Sequence, residues 1–203
     1  MFKTTPLLGQ PITHFNKKLI DDKSIFDNVE YDEPKKDGGT MLSKEHFLLD
    51  SNKKFKHIKD ILVEHVEKYK TDILGIKSGI VMTNSWLTLN KPGCKMYHHS
   101  HPNAFLSLTH YINCDGGDLR FQFEKSAITQ YYDIQFDILE YNLFNSHSWT
   151  FNVKTDDTYI FPAAIHHNTL PNESKTDRIM LGANFFFKGV YGTHMGLDMI
   201  NFK

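Results

Sequence analysis

Between Ile80 and Phe187 the apolar runs are short, and turn-forming residues interrupt them again and again. Ile80–Leu89, Lys95–His101, Ala104–Asn113, Asp118–Phe123, Ser148–Val153, Thr158–Phe161, His167–Leu170 and Ile179–Phe187 carry the β-branched and aromatic residues of strands. Lys91-Pro92-Gly93 and His101-Pro102-Asn103 break the chain between them, and Asp115-Gly116-Gly117 reads as a tight hairpin turn. Strands this short bury their apolar faces only by stacking sheet on sheet. The expected fold is therefore mainly β, a sandwich or jelly roll. Ahead of it, Phe55, Ile58, Ile61, Leu62, Val66, Tyr69 and Ile73 recur at helical spacing. They predict one amphipathic helix over about 53–72, with Ser51 as a candidate cap, covering a larger body. Residues 1–50 read as irregular, and 125–147 as an insertion. The whole, 1–203, reads as a single domain with an N-terminal segment 1–73 and a β core 74–203.

Composition narrows the function classes. With 203 residues the chain can bury a sizeable core without disulfides, and 40% hydrophobic residues exclude disorder. A net charge of −1 supplies no broad field to hold nucleic acid by its phosphates. No apolar run spans a bilayer, so no membrane partner is expected. Met1–Gln10 lacks a signal-peptide pattern, and Cys94 and Cys114 make no CxxC pair, so a cytoplasmic chain is the expectation.

Five of the 12 histidines fall in two tight clusters: His98, His99 and His101, then His166 and His167. On an extended chain, residues two apart point the same way. His99 and His101 can aim both rings into one cavity, while His98 faces out. A histidine from the remote cluster would complete a set of three metal ligands with open positions left for substrate. The other seven, including His14, His110, His147 and His194, read as surface or core residues. The usual oxygen-activating iron site wants two histidines and a carboxylate. Ile73 through Cys114 holds no Asp or Glu. Either three histidines form the site, or a carboxylate joins it from Asp115, Asp118 or Glu124. Arg178 stands eleven residues after His167 and is one of only two arginines, the other being Arg120. A buried arginine on a strand beside a metal would clamp a carboxylate through two parallel hydrogen bonds.

Trp86, Asn90-Lys91-Pro92-Gly93, His99-Ser100-His101-Pro102-Asn103, Leu106-Ser107 with Tyr111, Gly117-Asp118-Leu119, Phe161-Pro162, His167 and Arg178 through Asn184 follow one another in a known order. In that order and spacing the chain resembles a 2-oxoglutarate and Fe(II)-dependent oxygenase family found in phages and marine bacteria, over about Leu74–Phe187. The resemblance implies a double-stranded β-helix, or jelly roll, with a helical N-terminal cover. It implies Fe(II) on His99, His101 and His167, with 2-oxoglutarate and O2 as co-substrates and Arg178 on the distal carboxylate of 2-oxoglutarate. Tyr97, on the same face as His99, is then placed to hydrogen-bond the co-substrate. Substrate hydroxylation with release of succinate and CO2 follows. The chain departs from the family at Leu108, where a glycine is usual, and at Met180, where many oxygenases carry Ser or Thr.

Two other readings fit the same residues. One is a cupin-like metalloenzyme using the three histidines without 2-oxoglutarate. The other is a non-enzymatic jelly-roll binding or structural module. The aromatic stretch Tyr131, Tyr132, Phe136, Tyr141, Phe144 and Trp149 reads chiefly as core packing, with a binding face as the alternative. The primary substrate is not written in the sequence.

Overall fold

The segment Leu106–Asn113 is almost continuously buried, its polar Ser107 and His110 included, because both its faces are covered. The structure, a computed structural model, describes residues 9–123, 126, 136–191 and 200–202. In it the strands are β1 (Thr13–Asn16), β2 (Met41–Leu42), β3 (Gly79–Asn90), β4 (Leu106–Asn113), β5 (Leu119–Gln122), β6 (Ser148–Phe151), β7 (Asp157–Pro162), β8 (His166–Thr169), β9 (Arg178–Tyr191) and β10 (Ile200–Phe202). The helices are α1 (Leu48–Ser51) and α2 (Lys56–Lys68). A large antiparallel sheet runs β1-β7-β4-β9-β3-β2, with β10 added on β9. A small sheet runs β6-β5-β8. Leu106, Leu108 and Ile112 of β4 pack outward with Ile58, Leu62 and Val66 of α2. Tyr111 points the other way and packs with Leu119, Phe121 and Phe161 between the sheets. Two sheets with helices over the outer face of the larger one make a jelly roll with an N-terminal helical cover, as expected.

The helical cover is held by burial. Leu62 and Val66 are 0% exposed, and each such side chain contributes on the order of 1.5–3 kcal/mol. The helical run has three parts: a 3-10 turn at Lys53–Phe55, then α2, then a π-helical turn at Tyr69–Ile73. Its start is capped by Asn52, whose side chain accepts from the Lys54 amide at 3.0 Å. Ser51, the expected cap, ends α1 and donates to the Leu48 carbonyl. No helix among the described residues is long and apolar enough to cross a membrane.

Four further expectations are corrected. Residues 1–50 are not irregular throughout: Thr13–Asn16 pairs with β7, and Met41–Leu42 pairs with β3. Neither segment shows a long period-2 pattern, so only the distant partner strand reveals them. Lys95–His101 is not a strand; it makes isolated bridges, Lys95 to Gly39 outside the sheets and His99 to His167 of β8. Asp115-Gly116-Gly117 closes no hairpin. It carries the chain from β4 in the large sheet to β5 in the small one. Of the aromatic stretch, Phe136, Tyr141, Phe144 and Trp149 are exposed rather than core, while Tyr131 and Tyr132 lie outside the described residues. Cys94 and Cys114 are both free.

Candidate metal centre and co-substrate pocket

His99 and His167 exchange both backbone hydrogen bonds, at 3.0 and 2.8 Å. Residues paired in this way project to the same face. His101 reaches the same place from an irregular turn, its amide donating to the Ala163 carbonyl at 2.9 Å. The three rings converge, each offering one nitrogen, and these nitrogens lie within 4.8 Å of one another. The ring nitrogens Nε2 of His101 and His167 are 3.3 Å apart.

The donor chemistry suits a metal ion. The Nδ1 atom of His99 lies 2.8 Å from the Tyr97 carbonyl, and that of His167 lies 2.9 Å from the Ile165 carbonyl. A carbonyl only accepts, so each Nδ1 carries the proton and each Nε2 presents a bare lone pair. Burial holds all three rings neutral: it pushes His167 well below the ordinary value and lowers His99. His101 is lowered to about 4, by burial and then by neighbouring His99. Imidazole nitrogens around one first-row ion sit about 2.1 Å from it and so roughly 3–4 Å from each other. The cluster meets that spacing with small movements. Among the described residues no Asp or Glu joins it; Glu124 lies outside the described residues.

The other histidines stand apart. The His98 ring packs on His166, centroids 4.9 Å apart, and both are exposed. His14 bonds Asp157 at 2.9 Å, and His110 bonds Thr158. His147 is exposed, and His194 lies outside the described residues.

The histidines line a cavity of about 40 Å³ between the sheets, together with Trp86, Tyr111, Thr169 and Met180. The strand register orders its floor. Trp86, Gly182 and Thr109 form one row across the large sheet, and Thr88, Met180 and Tyr111 the next. Asn90 and Arg178 form a third. Arg178 is 1% exposed and lies behind the cavity wall. Its Nη2 donates to Thr169 Oγ1 at 2.7 Å, to Asn90 Oδ1 and the Leu170 carbonyl at 3.1 Å; its Nη1 donates to the Gly117 carbonyl at 2.6 Å. A Cβ on Gly117, where φ is +87°, would stand 1.7 Å from Nη1. Glycine there lets the turn close on the guanidinium.

Five buried polar atoms lack partners among the described residues: His65 Nδ1, His110 Nε2, Asn168 Oδ1, and two donors near this cavity, the hydroxyl of Tyr111, which lines it, and Nε of Arg178, which lies behind its wall. Tyr111 is 0% exposed, and burial raises its pKa far above the ordinary phenol value, against the pull of Arg178. Two such donors beside one cavity fit an anion. Tyr97, expected beside the co-substrate, does not line this cavity. Its carbonyl holds His99, and its ring packs on His99 with centroids 5.2 Å apart. Tyr111, which sequence reasoning gave no site of its own, lines the cavity; only its pairing register with Met180 shows its direction.

Residues 84–184 match the family model described as "Putative 2OG-Fe(II) oxygenase". The chain belongs to the 2OG-Fe(II) oxygenase family. Its cofactors are accordingly Fe(II), 2-oxoglutarate and O2. No curated protein matches the oxygenase in sequence. Solved structures share its fold. A 2OG-Fe(II) oxygenase-family oxidoreductase from Burkholderia pseudomallei aligns with TM-score 0.55 at 10% identity, over 80% of this chain and 75% of its own. HygX from Streptomyces hygroscopicus, solved with nickel, 2-oxoglutarate and hygromycin B, aligns with TM-score 0.57 at 9% identity, over 87% and 82%. A prolyl-4-hydroxylase from Pseudomonas putida aligns with TM-score 0.52 at 15% identity, over 81% and 82%.

Proposed function

We propose that His99, His101 and His167 hold Fe(II), that 2-oxoglutarate extends from them toward Arg178, and that the oxygenase hydroxylates its substrate. The observation that carries the assignment is the pair of unmatched buried donors, Tyr111 Oη and Arg178 Nε, in the rows that continue the cavity floor away from the histidines. The distal carboxylate of 2-oxoglutarate would accept from both. Bound at the histidines, iron supplies the chemistry that couples decarboxylation of 2-oxoglutarate, giving succinate and CO2, to oxidation of the substrate by O2.

The chain's own residues bind, orient and exclude water. Three neutral imidazoles leave the ion its full double charge, which attracts a dianionic co-substrate. The carbonyls of Tyr97 and Ile165 keep the protons of His99 and His167 on Nδ1, away from the ion. Thr169, holding Arg178 Nη2 and lining the cavity, fixes the guanidinium plane. A net charge of −1 favours a primary substrate other than a nucleic-acid backbone.

Anaerobic titration of 2-oxoglutarate into Fe(II)-loaded protein tests the assignment. The expected result is the weak visible band of metal-chelated 2-oxoglutarate, absent in His99→Ala and requiring far more 2-oxoglutarate in Arg178→Ala. A band of unchanged affinity in Arg178→Ala overturns the place given to Arg178. Full iron binding by His99→Ala overturns the ligand set.

A further inference from the structure

We propose that Trp86, seated on Gly182, sets the direction of the His101 ring and so completes the metal site; it is a positioning residue. The inference rests on the reading of His99, His101 and His167 as ligands.

The three rings are not held alike. His99 and His167 are each tied at Nδ1 by the carbonyl two residues upstream. For His101 the equivalent carbonyl is that of His99, which accepts from the His167 amide at 2.8 Å rather than from the His101 ring. Among the described residues, the only hydrogen-bond partner of the His101 ring is His167, through Nε2, the atom a metal would claim. A ligating histidine without an outer partner rotates about its Cβ–Cγ bond unless packing stops it.

Trp86 supplies that packing. Its ring lies 5.5 Å from the His101 ring, tilted by 42°. Trp86 and Gly182 are paired directly across β3 and β9. A Cβ on Gly182 would stand 2.6 Å from Cε2 and Cζ2 of the indole. Glycine inside a strand weakens it and marks a close approach; here the indole is what approaches. The indole is clamped between the β9 backbone and His101. A side chain at position 182 would drive it toward the metal site.

Co(II) is the probe, because its visible spectrum reports ligand geometry and its affinity needs no turnover. Wild type, Trp86→Leu, Gly182→Ala, the double variant and Trp86→Phe are compared, with His167→Ala as the control and circular dichroism to verify folding. Trp86→Leu and Gly182→Ala should each weaken Co(II) binding about tenfold or more, the cost of losing an outer-shell partner, and alter the visible band. Gly182→Ala should add nothing once Trp86 is leucine, and Trp86→Phe, which keeps a ring, should restore most of the affinity. A folded Trp86→Leu with wild-type affinity and band overturns the proposal; Trp86→Met serves if leucine does not fold. A merely structural role would lower stability and leave the band unmoved. Wild type that takes no Co(II), or His167→Ala that binds as well, overturns the ligand reading itself.

Discussion

Arg178 donates to the Thr169 hydroxyl at 2.7 Å, and of the two only Thr169 lines the cavity. The guanidinium is thus held by the protein before any carboxylate arrives. Its buried Nε and the Tyr111 hydroxyl are left without partners among the described residues.

Tyr111→Phe separates binding from stability. A buried hydroxyl without a partner costs about 1–3 kcal/mol, so its removal should leave stability equal or higher. Affinity for 2-oxoglutarate should fall about tenfold, as loss of one hydrogen bond to a charged group predicts. Urea melts and the anaerobic titration measure both. A variant that loses stability and keeps its 2-oxoglutarate affinity contradicts the assigned role.

Gly117→Ala should damage the same pocket from behind. Its Cβ would collide with Arg178 Nη1 at 1.7 Å, at a φ of +87° that other residues avoid. Strain of this kind costs roughly 1–3 kcal/mol, and the displaced guanidinium should weaken 2-oxoglutarate while Co(II) affinity stays unchanged. Calorimetric titration of each ligand checks the split.

Stability should fall with acid in a window set by His110. This residue is 0% exposed, and burial is the main cause that lowers its pKa to about 4. The unfolded chain takes up the proton near 6.5, before the folded protein accepts it. The stabilisation is therefore complete above about pH 6.5, declines as pH falls, and is lost by about pH 4, a total near 3 kcal/mol. Urea melts of chelator-treated protein at several pH values, against His110→Gln, isolate this share. Identical acid slopes in the two proteins would rule it out.

Leu62→Ala tests whether the helical cover is structural alone. Leu62 is 0% exposed and packs in the cluster that joins α2 to β4 and β9. The substitution should cost about 2–5 kcal/mol with no change in Co(II) affinity. A shift of the Co(II) band would tie the cover to the metal site.

Much of this architecture is legible along the chain. Strands β3, β4, β5, β7 and β9 and helix α2 stand where the apolar periodicities place them, because each buries a face wide enough to leave a pattern. Strands β1 and β2 leave none: four and two residues long, they are stabilised by partners remote in sequence. The same limit applies to the turn at Gly116-Gly117. Its glycines announce the tight backbone, but which sheet receives the next strand is decided by packing around Phe121 and Tyr111.

The candidate site divides the same way. Residue types and spacing by themselves determined that two histidine clusters and a rare arginine could meet in a β-rich chain, since imidazole and guanidinium chemistry is intrinsic to those residues. Tertiary structure alone decided that His101 reaches the cluster from a turn rather than a strand. It also decided that Tyr111 rather than Tyr97 lines the cavity, and that Trp86 rests on a glycine made necessary by its ring. Side-chain direction depends on pairing register, and register is set by contacts between segments far apart in the chain.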